Sequence, residues 1–209
     1  GHFTTFIGYE WTSLVKGNNL HRNVIFRDGA EQVGQVVPYT TTPPLGSPNP
    51  KDLWAWLQAY EDKTGGQVTA IPHNGNLSNG QMFESKRFNG QPITKQWAEE
   101  RARWEPLVEV FQIKGTSETH PSLSPNDEFA SFGIWDTANL NGVVKKDGDL
   151  QGEYLREALK TGLRLQTEFG VNPFKYGMAA GSDTHNSLAT GGEEGNFWGK
   201  FVADQPSPK

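Results

Sequence analysis

Asp183 and His185 stand one residue apart at the end of the small-residue run Gly177-Met-Ala-Ala-Gly-Ser182. A strand turns alternate side chains to one side, so Asp-x-His at its C-terminal end aims a carboxylate and an imidazole into one space. That donor pair suits zinc, manganese or iron better than calcium, which prefers oxygen shells. Taken alone, the pair is equally a helix cap followed by a loop histidine, so the remaining ligands must come from elsewhere. Three residues fit: Glu10 closes the β-branched and aromatic run 3–10, His21 opens the run His21-Arg-Asn-Val-Ile-Phe-Arg27, and His73 closes Gln67-Val-Thr-Ala-Ile-Pro72. His21 or His73 singly fits a structural histidine bonded to backbone. Together the five residues, Glu10, His21, His73, Asp183 and His185, point to metal-assisted hydrolysis. In that chemistry a divalent ion lowers the pKa of a bound water and neutralises an anionic substrate. Glu10 and Asp183 are the candidate catalytic carboxylates. Arg22, Lys114 and Glu118 are candidates for substrate binding, although an Arg beside a buried His or a loop Glu also serves as a surface ion-pair former.

The elements that must position these residues are legible from punctuation and periodicity. Strands are expected at 3–10, 21–27, 67–73, 107–113 and in the run ending at Asp183. Residues 12–19 read as a loop, and 38–50, with five prolines, as a long surface loop. Asn49-Pro50 is a cap and first-turn signature for a helix carrying Leu53, Trp54, Trp56, Leu57 and Tyr60 and stopping before Gly65-Gly66. Thr94 caps a second helix through Trp97, Arg101 and Trp104, ended by Pro106. A third, from Gly152 to Gly170, carries Leu155, Leu159, Leu163 and Phe169 at helical spacing. Residues 121–150 lack periodicity and are expected to be a long excursion, partly helical at 128–132. Alternation of strand and helix predicts an α/β fold with mainly parallel strands and covering helices, in which ligands gather at the carboxyl ends of strands.

With 209 residues and 34% hydrophobic content, one domain is the default. The formal charge of -5 and the absence of any basic run argue against nucleic acid or an anionic membrane as the main partner. No apolar segment reaches the ~20 residues of a membrane span. The chain has no Cys, which excludes disulfides, thiolate metal sites and a Cys nucleophile but leaves the compartment open. Trp54 and Trp56 suit the core of the covering helix better than a base-stacking platform, since no basic groove accompanies them.

Gly-Tyr-Glu10, His21 heading its strand, Ile-Pro-His73-Asn and Gly-Ser-Asp183-Thr-His185 resemble the later metal-ligand motifs of the PHP (polymerase and histidinol phosphatase) superfamily. More narrowly, the runs 6–13, 18–27 and 181–186 resemble a PHP-related family of large, functionally undefined bacterial proteins. The resemblance implies a distorted (β/α) barrel holding a multinuclear divalent metal site that hydrolyses phosphoesters. Glu10 would bridge two metals, His21 and His73 would bind one of them, and Asp183 and His185 the others. The superfamily opens with a His-x-His strand, and no His-x-His occurs here. The implied fold is therefore a partial barrel of PHP type with its N-terminal strands missing, residues 1–209 forming one hydrolase domain from the later part of a larger barrel. Its unpaired sheet edge would invite self-association. The expected function is metal-dependent hydrolysis of a small anionic ester. Two alternatives remain open: a non-catalytic barrel fragment that binds metal or ligand, and an amidohydrolase-like enzyme cleaving C–N bonds.

Overall fold

The computed structural model describes residues 4–183. His185 lies outside the described residues. Three helices form where their caps and periodicity place them. α2 (Pro50–Thr64) is capped by the Asn49 side chain, which accepts from Lys51 N at 3.1 Å, and it ends at Gly65, whose φ of 68° suits glycine. α3 (Lys95–Trp104) is capped by Thr94, whose hydroxyl accepts from Trp97 N at 3.3 Å. α4 (Leu155–Phe169) buries Leu155, Ala158, Gly162 and Leu165 and leaves Leu163 exposed. A Cβ at Gly162 would stand 2.1 Å from Asn172 Oδ1, so the helix needs glycine there to seat the following turn. A short α1 (Ala30–Val33) precedes the proline-rich loop. No helix among the described residues is long and apolar enough to cross a membrane.

The sheets overturn the expected parallel barrel. β1 (Gly8–Trp11), β4 (Arg22–Phe26) and β5 (Val68–Pro72) form an antiparallel sheet in the order β1-β4-β5. Residues 12–19, expected as plain loop, contain the small hairpin β2 (Leu14–Val15) and β3 (Asn18–Asn19). A connection of this length cannot make the crossover that parallel strands require, so β4 must run back along β1. The link from β4 to β5 is long enough for a crossover, but it traverses the sheet twice. The proline-rich loop runs to the far end, where Ser13 Oγ donates to Pro48 O at 2.7 Å. α2 then returns to the starting end, where Tyr60 Oη donates to Asp28 Oδ2 at 2.9 Å. β5 consequently starts beside the end of β4, with Val68 opposite Phe26. Among the strands of the described residues, only β6 (Leu107–Gln112) and β8 (Gly177–Ala180), joined through α4, pair in parallel, and β7 (Gly115–Thr116) folds back antiparallel on β6. Residues 128–132, expected to be partly helical, form turns.

The core lies between these strands and the helices. Leu53 and Leu57 from α2 are fully buried against Val24, Ala70 and Trp54 in one cluster. Each such aliphatic side chain contributes roughly 1.5–3 kcal/mol relative to exposure. Inside this apolar layer sits Glu105, at the C-terminal end of α3 and 1% exposed. Its Oε1 accepts from Arg22 Nε at 2.9 Å and from Trp54 Nε1 at 2.8 Å, and its Oε2 pairs with Arg101 Nε at 3.1 Å. One carboxylate thereby ties the first residue of β4 to α2 and α3. Arg22 also donates to Leu20 O, which fixes the segment that presents His21. Glu105→Gln removes the charge and leaves two buried guanidinium groups without a counterion. Urea denaturation is expected to show a loss of about 3–5 kcal/mol. A loss below about 1 kcal/mol would mean that the network is dispensable.

Candidate metal centre

Antiparallel pairing brings the end of β1, the start of β4 and the end of β5 to one edge: Glu10 lies opposite Asn23, Arg22 opposite Pro72, and His73 N donates to His21 O at 3.4 Å. Three predicted site residues meet there. Glu10 Oε1 accepts from His21 Nδ1 at 2.8 Å and from His73 Nε2 at 2.9 Å, and the two rings stand 5.6 Å apart edge-on. Both histidines are buried, while the Glu10 side chain keeps about a third of its surface in solvent. One ligand atom from each of the three lies within 4.8 Å of the other two. Hydrogen bonding from His21 and then from His73 holds the Glu10 carboxyl far below its ordinary range, outweighing the opposite effect of burial. Each imidazole also keeps its second nitrogen, His21 Nε2 and His73 Nδ1, buried without a hydrogen bond. Such orphaned polar atoms are uncommon in protein interiors. Two histidines and one carboxylate form the donor set of catalytic zinc and non-haem iron sites, and three protein ligands leave coordination positions open. Around an ion with bonds of about 2.1 Å, tetrahedral donors stand roughly 3.4 Å apart, so small side-chain movements would convert the hydrogen-bonded trio into a ligand set.

A second group of polar residues adjoins the trio. Asp183, with φ of 53°, accepts from Gln112 Nε2 at 2.7 Å and from Lys114 Nζ. Gln112 also donates to Asn74, the residue after His73 and likewise at positive φ. Glu109 approaches His73 Nδ1 to 3.9 Å. Burial pushes the Glu109 carboxyl up to about 7, with Asp183 adding to the shift while His73, the Asn74 backbone N–H and Lys114 oppose it. Thus Glu10, His21 and His73 converge, with Asp183, Lys114 and Asn74 just past neighbouring strand ends and Glu109 within β6 beside His73. Arg22 and Glu118 lie elsewhere. Arg22 reaches into the helix-covered core, and Glu118 pairs with Arg156 at 2.6 Å on the surface. Glu109, Gln112 and Asn74 were not singled out in the sequence. An acidic residue inside the apolar strand Leu107-Val-Glu-Val-Phe was the available signal for Glu109.

The whole chain, residues 1–209, matches the family described as Protein of unknown function (DUF3604). The chain belongs to this family. No curated protein and no solved structure gave a match. The expected membership of the PHP superfamily is corrected on both counts: the match is to DUF3604 alone, and the strands form small antiparallel and mixed sheets in place of a barrel. The picture of a partial barrel falls with it, and the bridging role of Glu10 loses the resemblance that implied it.

Glu109 gives a pH test in the metal-free protein. Its folded value of about 7 lies above the unfolded value of 4.5. Its contribution to stability is therefore fully present below about pH 4.5 and lost as pH rises through about 7. Glu109→Gln is expected to match wild type near pH 4.5 and to exceed it by about 1–3 kcal/mol at pH 8. A difference that stays constant across this range in urea denaturation would show that the buried charge has no such cost.

Proposed function

We propose that the protein is a divalent-metal-dependent hydrolase of small anionic esters, phosphoesters foremost, with Glu10, His21 and His73 as metal ligands. The observation that carries this reading is the sharing of one Glu10 oxygen by two buried histidines whose other nitrogens are unpartnered. A bound ion would supply Lewis acidity and an activated water. The chain's own groups would do the rest. The solvent-facing side of Glu10 leaves a path for substrate. Lys114 supplies positive charge near the strand ends for an anionic oxygen, oriented by Asp183, which itself stands as a candidate catalytic carboxylate. Glu109 stands 3.9 Å from His73 Nδ1, beyond hydrogen-bond range, and contributes charge rather than a hydrogen bond on the buried side of that ring. Zinc, manganese and iron all fit the mixed nitrogen and oxygen donors.

The test begins with elemental analysis and calorimetric titration of manganese and zinc into wild type, Glu10→Ala and His73→Ala, followed by hydrolysis assays on an aryl phosphate and the corresponding anilide. Wild type is expected to bind about one equivalent or more. Each variant should lose more than about 100-fold in affinity, since loss of even an indirect partner typically costs 10- to 100-fold. Ester cleavage that depends on metal and disappears in both variants supports the hydrolase. Anilide cleavage alone would favour C–N hydrolysis. Metal binding without turnover of either substrate would leave a binding module, and no metal binding at all would end the reading.

A further inference from the structure

The helix-covered side of β4 carries a second polar feature, built from side chains other than those of the trio. Arg22 and Arg101 are 1% and 3% exposed, and between them they share the single carboxylate of Glu105. Two buried guanidinium groups against one carboxylate leave an uncompensated positive charge. Isolated charges are costly away from water unless a counterion neutralises them. Each arginine spends one donor on a carbonyl, Arg22 on Leu20 O and Arg101 on Met82 O, and both residues border open space. With Lys51 and Lys86 they line a cavity of about 60 Å³ between β4, α2, α3 and the segment after β5. A water needs ~10–15 Å³ by this measure, so the space holds roughly four waters, which is the size of a tetrahedral oxyanion. Trp54 and Trp97 wall the same cavity. Arg101 lies 5.3 Å from the Trp97 ring centre and 4.8 Å from that of Phe174, which holds its guanidinium plane in place.

The geometry points to this cavity as a binding site for a phosphate-sized oxyanion, held by Arg22 and Arg101 at its base and by Lys51 and Lys86 at its mouth. Rigid guanidinium forks suit tetrahedral oxyanions, and the mobile lysines add charge at the entrance. The lining includes one acid, Glu84. Its carboxylate opposes an incoming anion, while Lys86 is the cation that steadies its charged form. Lys51 has an alternative partner in Glu100 at 3.5 Å, a half-exposed pair that an anion can compete with. The net count of lining charges remains four positive to one negative. The site is built from α2, α3 and the 81–88 segment. An anion bound there would stabilise the packing that positions β4 without touching Glu10 or His73.

Inorganic phosphate is the probe, titrated into the whole 209-residue chain kept metal-free with a chelator, with thermal unfolding and calorimetry as readouts. Wild type should show a saturable rise in Tm, and the Glu10→Ala/His73→Ala double variant the same midpoint. Lys51→Glu/Lys86→Glu changes two solvent-accessible side chains and should fold with an unaltered circular dichroism spectrum. Its phosphate midpoint should weaken by about tenfold or more. Glu84→Gln should tighten binding. Three results would each overturn the assignment. They are the absence of a saturable response in wild type, a response undiminished in the double lysine variant, and a response lost only in the Glu10→Ala/His73→Ala variant. A rise that is linear in phosphate and equal in all variants would be a solvent effect of a kosmotropic anion and counts against the site as well.

Discussion

Glu105 is the interaction on which the rest of the structure depends. A carboxylate taken fully out of water survives there only because Arg22, Arg101 and Trp54 together satisfy it, each from a different element. The apolar faces of α2 and α3 would cover a sheet in many rotations, since hydrophobic burial has no direction. Charged hydrogen bonds of about 3 Å do have direction, and they admit one seating of the two helices over β4. The constraint passes straight to the candidate site. Arg22 is held by its Nε and by its contact with Leu20 O, so the residue between them, His21, has little freedom left. The imidazole also receives a fixed backbone, since His21 N donates to Asn19 Oδ1 at 3.0 Å.

Much of this was legible in the sequence, and what was not has a physical cause. Helix ends were legible because their chemistry is local: Asn49 and Thr94 cap with their own side chains, and Gly65 and Gly170 take the left-handed backbone that ends a helix. Strand positions were close for the same reason. Strand direction was not, because the pattern of a strand reads the same either way. Nothing in Val68–Pro72 records that the proline-rich loop had already crossed the sheet before α2 crossed back. That hidden extra crossing turned an expected parallel barrel into antiparallel and mixed sheets. The error left Glu10, His21 and His73 together for a simple reason. Glu10 and His73 sit at strand ends and His21 at a strand start, and in an antiparallel arrangement those meet at one edge. Arg22 is next to His21 in sequence but turns into the helix-covered core, away from the trio. Glu109 was hidden by position, a strand-interior acid whose importance depends on a neighbour 36 residues earlier in the chain, His73, a separation that no local pattern encodes.

The two polar centres differ in how their charge is balanced, and this difference sets what each can do. In the core, Glu105 Oε1 accepts two hydrogen bonds while Oε2 is balanced only by the charge of Arg101 at 3.1 Å, and the excess charge belongs to the guanidinium groups. At the strand edge, one Glu10 oxygen serves two imidazoles, each histidine keeps an unused buried nitrogen, and the carboxylate reaches solvent. The first arrangement is rigid and closed to further cations. The second keeps buried nitrogens without hydrogen-bond partners and a carboxylate open to solvent, the features on which the proposed metal ligand set rests.

The backbone at the edge carries the remaining argument. Asn74 and Asp183 both hold positive φ values, 52° and 53°, a conformation that costs a non-glycine residue roughly 1–2 kcal/mol. Asn and Asp tolerate it better than most because their short polar side chains bond locally. Here those side chains are used across the structure. Gln112 donates to both, linking the end of β5 to the segment after β8 through the last residue of β6. The strain at Asn74 thus buys orientation: it turns the chain immediately after His73 while anchoring it to the second sheet. His73 is pinned on one side by Glu10 and followed directly by this anchor, so its unused Nδ1 stays buried beside Glu109. A strained residue next to a candidate ligand, held by hydrogen bonds from another sheet, is the pattern expected where ligand direction matters more than local stability.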